Sequence, residues 1–141
     1  MERINCDVFM KDESTIDLYN EVICITGNFY GGKNCSVTTA IIADGDVVFE
    51  DGSSAVAICA GGKVCIGKYS RAASICSDEY VFIDDLSYAK HVFAKKDISL
   101  GYAVSVYSAT TDEDVLCDYY QRPKTFLDKL IDKIDNFLSK I

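Results

Sequence analysis

Three consecutive rows decide the fold: SSAVAICAGGKVCIGKY (53–69), SRAASICSDEYVFIDDL (70–86) and SYAKHVFAKKDISLGYA (87–103). Each row opens on a serine, at Ser53, Ser70 and Ser87, and carries an alanine two places on, at Ala55, Ala72 and Ala89. Each holds two apolar stretches. The first peaks at Ile58, Ile75 and Val92; the second is Val64-Cys65-Ile66, then Val81-Phe82-Ile83 and Ile98-Ser99-Leu100. Between them lie the polar turns Gly61-Gly62-Lys63, Asp78-Glu79 and Lys95-Lys96-Asp97. Short β-branched runs bounded by Gly and Asp turns read as strands. Neither stretch is long enough for an amphipathic helix. A fixed period of 17 residues of strand, turn, strand and turn is the signature of a β-solenoid in which each row is one coil. Equivalent side chains then stack about 4.8 Å apart along the axis. An evenly spaced sandwich or meander would not require serine and alanine to recur in the same columns.

Working outward, the row from Ser36 (SVTTAIIADGDVVFEDG) puts Ser36 in the serine column, Thr38 in the alanine column and Ile41 in the first apolar column. A weaker row starts at Val104 (VSVYSATTDEDVLCDYY). Upstream, YNEVICITGNFYGGKNC from Tyr19 fits in its first half, and ERINCDVFMKDESTIDL from Glu2 fits loosely. The expectation is an all-β, single-stranded β-solenoid (a β-helix) of six or seven 17-residue coils over residues 1–121, clearest over 36–120. The stretches Ser53-Ser54-Ala55-Val56-Ala57, Ser70-Arg71-Ala72-Ala73 and Ser87-Tyr88-Ala89 resemble the S-x-A repeats of trimeric-autotransporter head domains and of related phage and bacterial β-solenoid repeats. That resemblance covers residues 36–109. It implies the fold and trimerisation, not adhesion, because those head repeats are usually shorter.

The repeat stops at Tyr120, and Pro123 marks the break. From Lys124 the chain reads KTFLDKLIDKIDNFLSKI, with apolar residues at Phe126, Leu127, Leu130, Ile131, Ile134, Phe137, Leu138 and Ile141. This is helical spacing, and Pro123 suits a helix start. Residues 122–141 are therefore expected to form one C-terminal α-helix. It would cap the solenoid or lie along its flank in preference to forming a short coiled coil, since short helices draw stability from packing. In the second apolar stretch both parities are apolar, so Val48, Cys65, Phe82 and Leu116 should form an outward stripe too large to leave in water. Together with Phe126, Leu130, Ile134 and Phe137 they are the expected oligomer or helix-packing surface, in a homo-oligomer, dimer or trimer.

The chain has 141 residues, 14 Lys and Arg and 22 Asp and Glu, for a net charge of −8. Such acidity disfavours direct binding to nucleic acid or anionic membrane. The N-terminus lacks the apolar core of a signal peptide, and no uncharged apolar run approaches the length of a membrane span. Of the seven cysteines no pair has C-x-x-C spacing, so they are expected as reduced thiols in a cytoplasmic protein, that of a bacterial host if the chain is phage-derived. No cofactor is expected. His91, the only histidine, has no partner at metal-ligand spacing.

Three features invite chemistry and are discounted. The stretch Gly27-Asn-Phe-Tyr-Gly-Gly32-Lys33-Asn34 matches a phosphate-binding loop but lacks the final Ser or Thr, and β-branched residues follow where a helix is needed. His91 invites comparison with β-helix acyltransferases that use a histidine base, yet the hexapeptide pattern is missing and no carboxylate is placed to orient it. Cys59 and Cys76 share a column and suit a disulfide by spacing, but cytosolic redox poise and apolar neighbours favour buried free thiols.

The acidic turns are the most suggestive feature. Asp44, Asp46, Asp78, Glu79, Asp97, Asp112, Glu113 and Asp114 fall in one turn, and Glu50, Asp51, Asp84, Asp85 and Asp118 in the other. Solvation, turn chemistry and calcium compete as explanations, although the repeat of calcium-binding solenoids is absent. The sharper expectation is that Asp44, Asp46, Asp78, Glu79, Asp112, Glu113 and Asp114 line up as a carboxylate stripe that imitates nucleic-acid phosphates. The expected function is thus a non-catalytic acidic inhibitor or decoy of a basic protein, as phages use against host defences. The alternatives are a self-assembling structural solenoid and, last, a β-helix enzyme using His91.

Overall fold

The computed structural model describes residues 2–18 and 21–117. The expected helix at 122–141, with Phe126, Leu130, Ile134 and Phe137, lies outside the described residues. So do the boundary at residue 121 and Asp118.

The chain winds as a β-solenoid of about seven turns. A leading partial coil holds β1 (Glu2–Ile4) and β2 (Val8–Met10). Two coils follow with β3 (Thr15–Ile16), β4 (Val22–Ile25) and β5 (Phe29–Gly31), then β6 (Ser36–Val37), β7 (Ala40–Ala43) and β8 (Val47–Phe49). In the next four, one long strand replaces the first two: β9 (Ser54–Ala60) with β10 (Val64–Ile66), β11 (Arg71–Ser77) with β12 (Val81–Ile83), β13 (Tyr88–Ala94) with β14 (Ile98–Leu100), and β15 (Ser105–Thr111) with β16 (Val115–Cys117). All pairings are parallel and collect into two sheets, a nine-stranded one holding the long strands and a seven-stranded one holding the short strands.

Register runs at 17 from β7 and β8 onward, as in Ile41↔Ile58↔Ile75↔Val92 and Val47↔Val64↔Val81↔Ile98. Upstream it does not. The step is 18 from Phe29 to Val47 and 21 from Val8 to Phe29. The extra residues fall at one place, the corner between β6 and β7 or between β3 and β4. Two columns therefore shift from the expected alignment. Ser36 pairs with Ser54 and Val37, not Thr38, with Ala55. Cys35 takes the place assigned to Ser36, since its N–H donates to Ser53 Oγ as the Ser53 N–H donates to Ser70 Oγ.

In the long strands two consecutive side chains face outward, Ala73-Ser74 in β11 and Lys90-His91 in β13. Strict alternation forbids this unless the strand bends there. Inward residues stack in columns: Ile23, Ile41, Ile58, Ile75 and Val92 form one, and Phe29, Val47, Val64, Val81 and Ile98 another, all buried. The core is jigsaw-packed. The Phe49 ring stands 2.5 Å from where a Cβ on Gly31 would lie, so glycine makes room for it.

The serine column is explained by hydrogen bonding at the turn into each long strand. Ser87 Oγ donates to Gly67 O at 2.8 Å and accepts the Ser70 N–H at 3.1 Å. Ser70 Oγ donates to Lys68 O and accepts the Ser53 N–H at 3.1 Å. Each buried hydroxyl thus satisfies backbone groups that the strand ladder does not reach.

Just before this column, Glu13, Asn34, Gly52, Tyr69, Leu86 and Ala103 all have positive φ, between 55° and 76°. The same left-handed turn recurs in every coil, mostly without the glycine that makes it cheap.

Candidate functional site

The acidic turns are built by a rule. An Asp or Asn in one coil accepts, through Oδ1, a backbone N–H of the next coil: Asp7 from Asn28, Asn28 from Asp46, Asp46 from Lys63 and Asp97 from Asp114. In the opposite turn Asp12, Asp51 and Asp85 do the same for Lys33, Lys68 and Tyr102. The accepting oxygen sits where a Cβ of the next coil would go, 2.1 Å from Gly62 above Asp46 and 2.4 Å from Gly101 above Asp85. Asp or Asn in one coil is therefore followed by Gly in the next, except at Asp97, where Glu113 follows and the bond to the Asp114 N–H is longer, at 3.2 Å. Where Lys33 or Lys68 replaces the Asp, a carboxylate side chain, Glu50 or Asp84, returns.

The expected stripe stacks in three columns. One runs Asp44, Gly61, Asp78, Lys95, Asp112; the second holds Glu79, Lys96 and Glu113; the third includes Asp46 and Asp114. Lysines interleave with the acids. Lys95 Nζ lies 3.5 Å from Asp78 and Lys96 Nζ 2.6 Å from Glu79. The hydrogen bond and then the charge of Glu79 hold the Lys96 ammonium above its ordinary range. Asp112, Glu113 and Asp114 are exposed at the last described turn, and Asp46 is half-buried.

The outward stripe of the short strands is continuous from coil to coil: Phe9, Tyr30, Val48, Cys65, Phe82, Ser99, Leu116. Phe9, Phe82 and Leu116 are exposed at 72%, 40% and 52%, whereas Val48 and Cys65 are half-buried. Phe9 stacks on Tyr30 with ring centroids 5.0 Å apart. Burial pushes the Cys65 thiol up, with Lys63 opposing and Asp46 adding.

The discounted features separate cleanly. The loop lookalike is divided among a turn at Gly27, strand β5 and a second turn at Gly32-Lys33, and strand β6 follows it. His91 is exposed on β13, its Nδ1 2.8 Å from Ser108 Oγ and its ring edge-on to Tyr107 at 5.5 Å. Cys59 and Cys76 are adjacent in register as expected, but their burial is not as expected. Cys59 is exposed and Cys76 half-buried, because this parity of the strand faces out. Burial, then Cys59 itself, raises the Cys76 thiol.

One hollow was missed from the sequence. A groove of about 830 Å³ runs along the bend of the long strands, with Arg71 and Lys90 as the only charges among the described residues that line it and with Tyr69, Tyr88 and Leu86 on its walls. The signal was present in the rows. Arg71 and Tyr88 occupy one outward column with Ser54 and Ser105. Small Ala73 sits where the next coil has Lys90, and this leaves the floor low.

No protein-family model, curated protein or solved structure matches the chain. Among the described residues no helix is long and apolar enough to cross a membrane.

Proposed function

We propose that the protein is a non-catalytic binding module whose main act is self-assembly, end to end, into a longer solenoid. The observation that carries this reading is the state of the two ends among the described residues. At one end β1, β2 and β3 pair on one side only, over the partly buried core residues Ile4, Val8 and Ile16. At the other, β15 and β16 end the two sheets over partly buried Val106 and Ala109, with inward Val115 exposed at 45%. Unpaired parallel edges over an apolar cross-section are templates for another copy. Head-to-tail stacking would extend both sheets, and such contacts do not close on themselves.

The test uses a proline at the leading edge. Ile4 O accepts the Thr26 N–H, so Ile4 faces the second coil and Arg3 turns its own N–H toward the open end. Arg3→Pro therefore removes an edge donor without breaking an internal bond. The wild-type full chain should grow in mass with concentration by light scattering, and Arg3→Pro should not. A wild-type monomer at all concentrations overturns the reading.

The acidic decoy is the second reading, favoured by exposed Asp44 and Asp112 towards the two ends of one column, Asp112 beside Glu113. It narrows the docking surface to the ends of the stripe, since Lys95 and Lys96 neutralise its middle. Charge reversal at Asp112, Glu113 and Asp114 would abolish binding to a basic partner.

A further inference from the structure

We propose that the groove at the bend of the long strands is a binding site for a hydroxyl-rich carboxylate, a sugar acid within a short oligosaccharide. Three observations lead there. The first is charge. The chain carries −8 overall, yet among the described residues no carboxylate lines this groove and both charges that do, Arg71 and Lys90, are positive. Neither Arg71 nor Lys90 is ion-paired among the described residues, whereas Lys95 and Lys96 are. Two unpaired cations in an acidic protein suit an anion of low charge. A polyanion such as nucleic acid would meet the repulsion of the whole molecule.

The second observation is the chemistry of the walls. Tyr69 and Tyr88 are exposed at 67% and 43%, and Ser54 and Ser105 flank Arg71 and Tyr88 in the same column. Tyrosine offers a flat apolar face and a hydroxyl together, and serine adds further donors and acceptors. That combination matches a sugar ring, which has an apolar face and a polar rim. Arg71 offers a planar fork for a carboxylate.

The third is what the groove cannot offer. It lies on the face of a parallel sheet whose backbone groups pair along the solenoid axis. An extended peptide gains affinity by adding a strand to a free sheet edge, and no edge is exposed here. Recognition must come from side chains, which favours a ring over a peptide. The site is on the flank, so end-to-end assembly would leave it open.

Tyr69 and Leu86 hold positive φ in the turn that forms one wall, at 55° and 59°. Strain of this kind persists where the surroundings over-determine it, and here it fixes the direction of two groove side chains.

The probe is a glucuronate trisaccharide, titrated by calorimetry into the full chain, with a glucose trisaccharide and a triglutamate peptide as comparisons. The glucuronate probe should bind saturably, and the other two at least tenfold more weakly. Arg71→Gln should weaken it at least tenfold, as loss of a charge-assisted fork would. Tyr88→Ala should weaken it too, while Lys63→Ala, in the opposite turn between β9 and β10, should not. Arg71→Gln is exposed, so an unchanged melting temperature will verify its fold. Equal binding of the glucose probe, preference for the peptide, no glucuronate binding or indifference to Arg71→Gln each overturns the proposal.

Discussion

Replacing Ser87 by alanine removes one oxygen from a buried turn and nothing else. In the native chain Ser87 is 3% exposed, and its hydroxyl donates to Gly67 O at 2.8 Å while accepting the Ser70 N–H at 3.1 Å. The donated bond is worth about 1 kcal/mol net. The Ser70 N–H is left without that acceptor, and an orphaned buried donor costs about 1–3 kcal/mol. The sum is about 2–4 kcal/mol. For a domain of this size that corresponds to a fall of about 10 °C in melting temperature. Thermal and urea unfolding followed by far-UV circular dichroism measures it. Ser54→Ala, exposed and one place after Ser53 of the same serine column, is the control and should stay within about 0.5 kcal/mol. The Cys35 precedent predicts an intermediate result for Ser87→Cys, since Cys35 Sγ donates to Lys11 O at 3.1 Å. A loss below about 0.5 kcal/mol for Ser87→Ala would refute the claim that the serine column holds the turns together.

Other outcomes follow from the same turns. Leu86→Gly relieves a left-handed residue and should raise stability by about 0.5–1 kcal/mol in the same unfolding assay, while stripping a wall of the groove. Asp85→Ala removes the acceptor of the Tyr102 N–H and should cost about 1 kcal/mol; Asp85→Asn keeps an oxygen there and should be nearly silent in urea titration. The raised pKa of Lys96 means that its pair with Glu79 contributes fully below the ordinary lysine value of 10.5 and is lost as pH rises through the raised one. The urea midpoints of wild type and Lys96→Met should therefore differ at about pH 9 and converge at strongly alkaline pH.

The period was legible because the core repeats its own chemistry. Ile41, Ile58, Ile75 and Val92 must fill the same space in successive coils, and serine must meet the same turn carbonyls. The upstream register was not legible. The corner between β3 and β4 absorbs four residues more than the later coils have, and such an insertion leaves both flanking strands intact. Rows cut at a fixed length then misplace Ser36 and Thr38 by one. The turn acids were legible as columns but not in their local role. Only coordinates show Asp46 and Asp85 capping the next coil, or explain why Gly62 and Gly101 follow them. The outward position of Cys59 escaped for a related reason. Two adjacent outward residues break the alternation at the bend, and simple parity fails there. The groove needed both the bend and the contrast between Ala73 and Lys90, which no single row displays.

The register itself carries every surface described, and nuclear Overhauser contacts between backbone protons test it most directly. In a parallel solenoid these contacts fall at constant difference: Val64 with Val81 and Val81 with Ile98 at 17 apart, Phe29 with Val47 at 18, and Val8 with Phe29 at 21. Contacts in which the sum of the paired numbers is constant instead would mean antiparallel hairpins, and would contradict the solenoid.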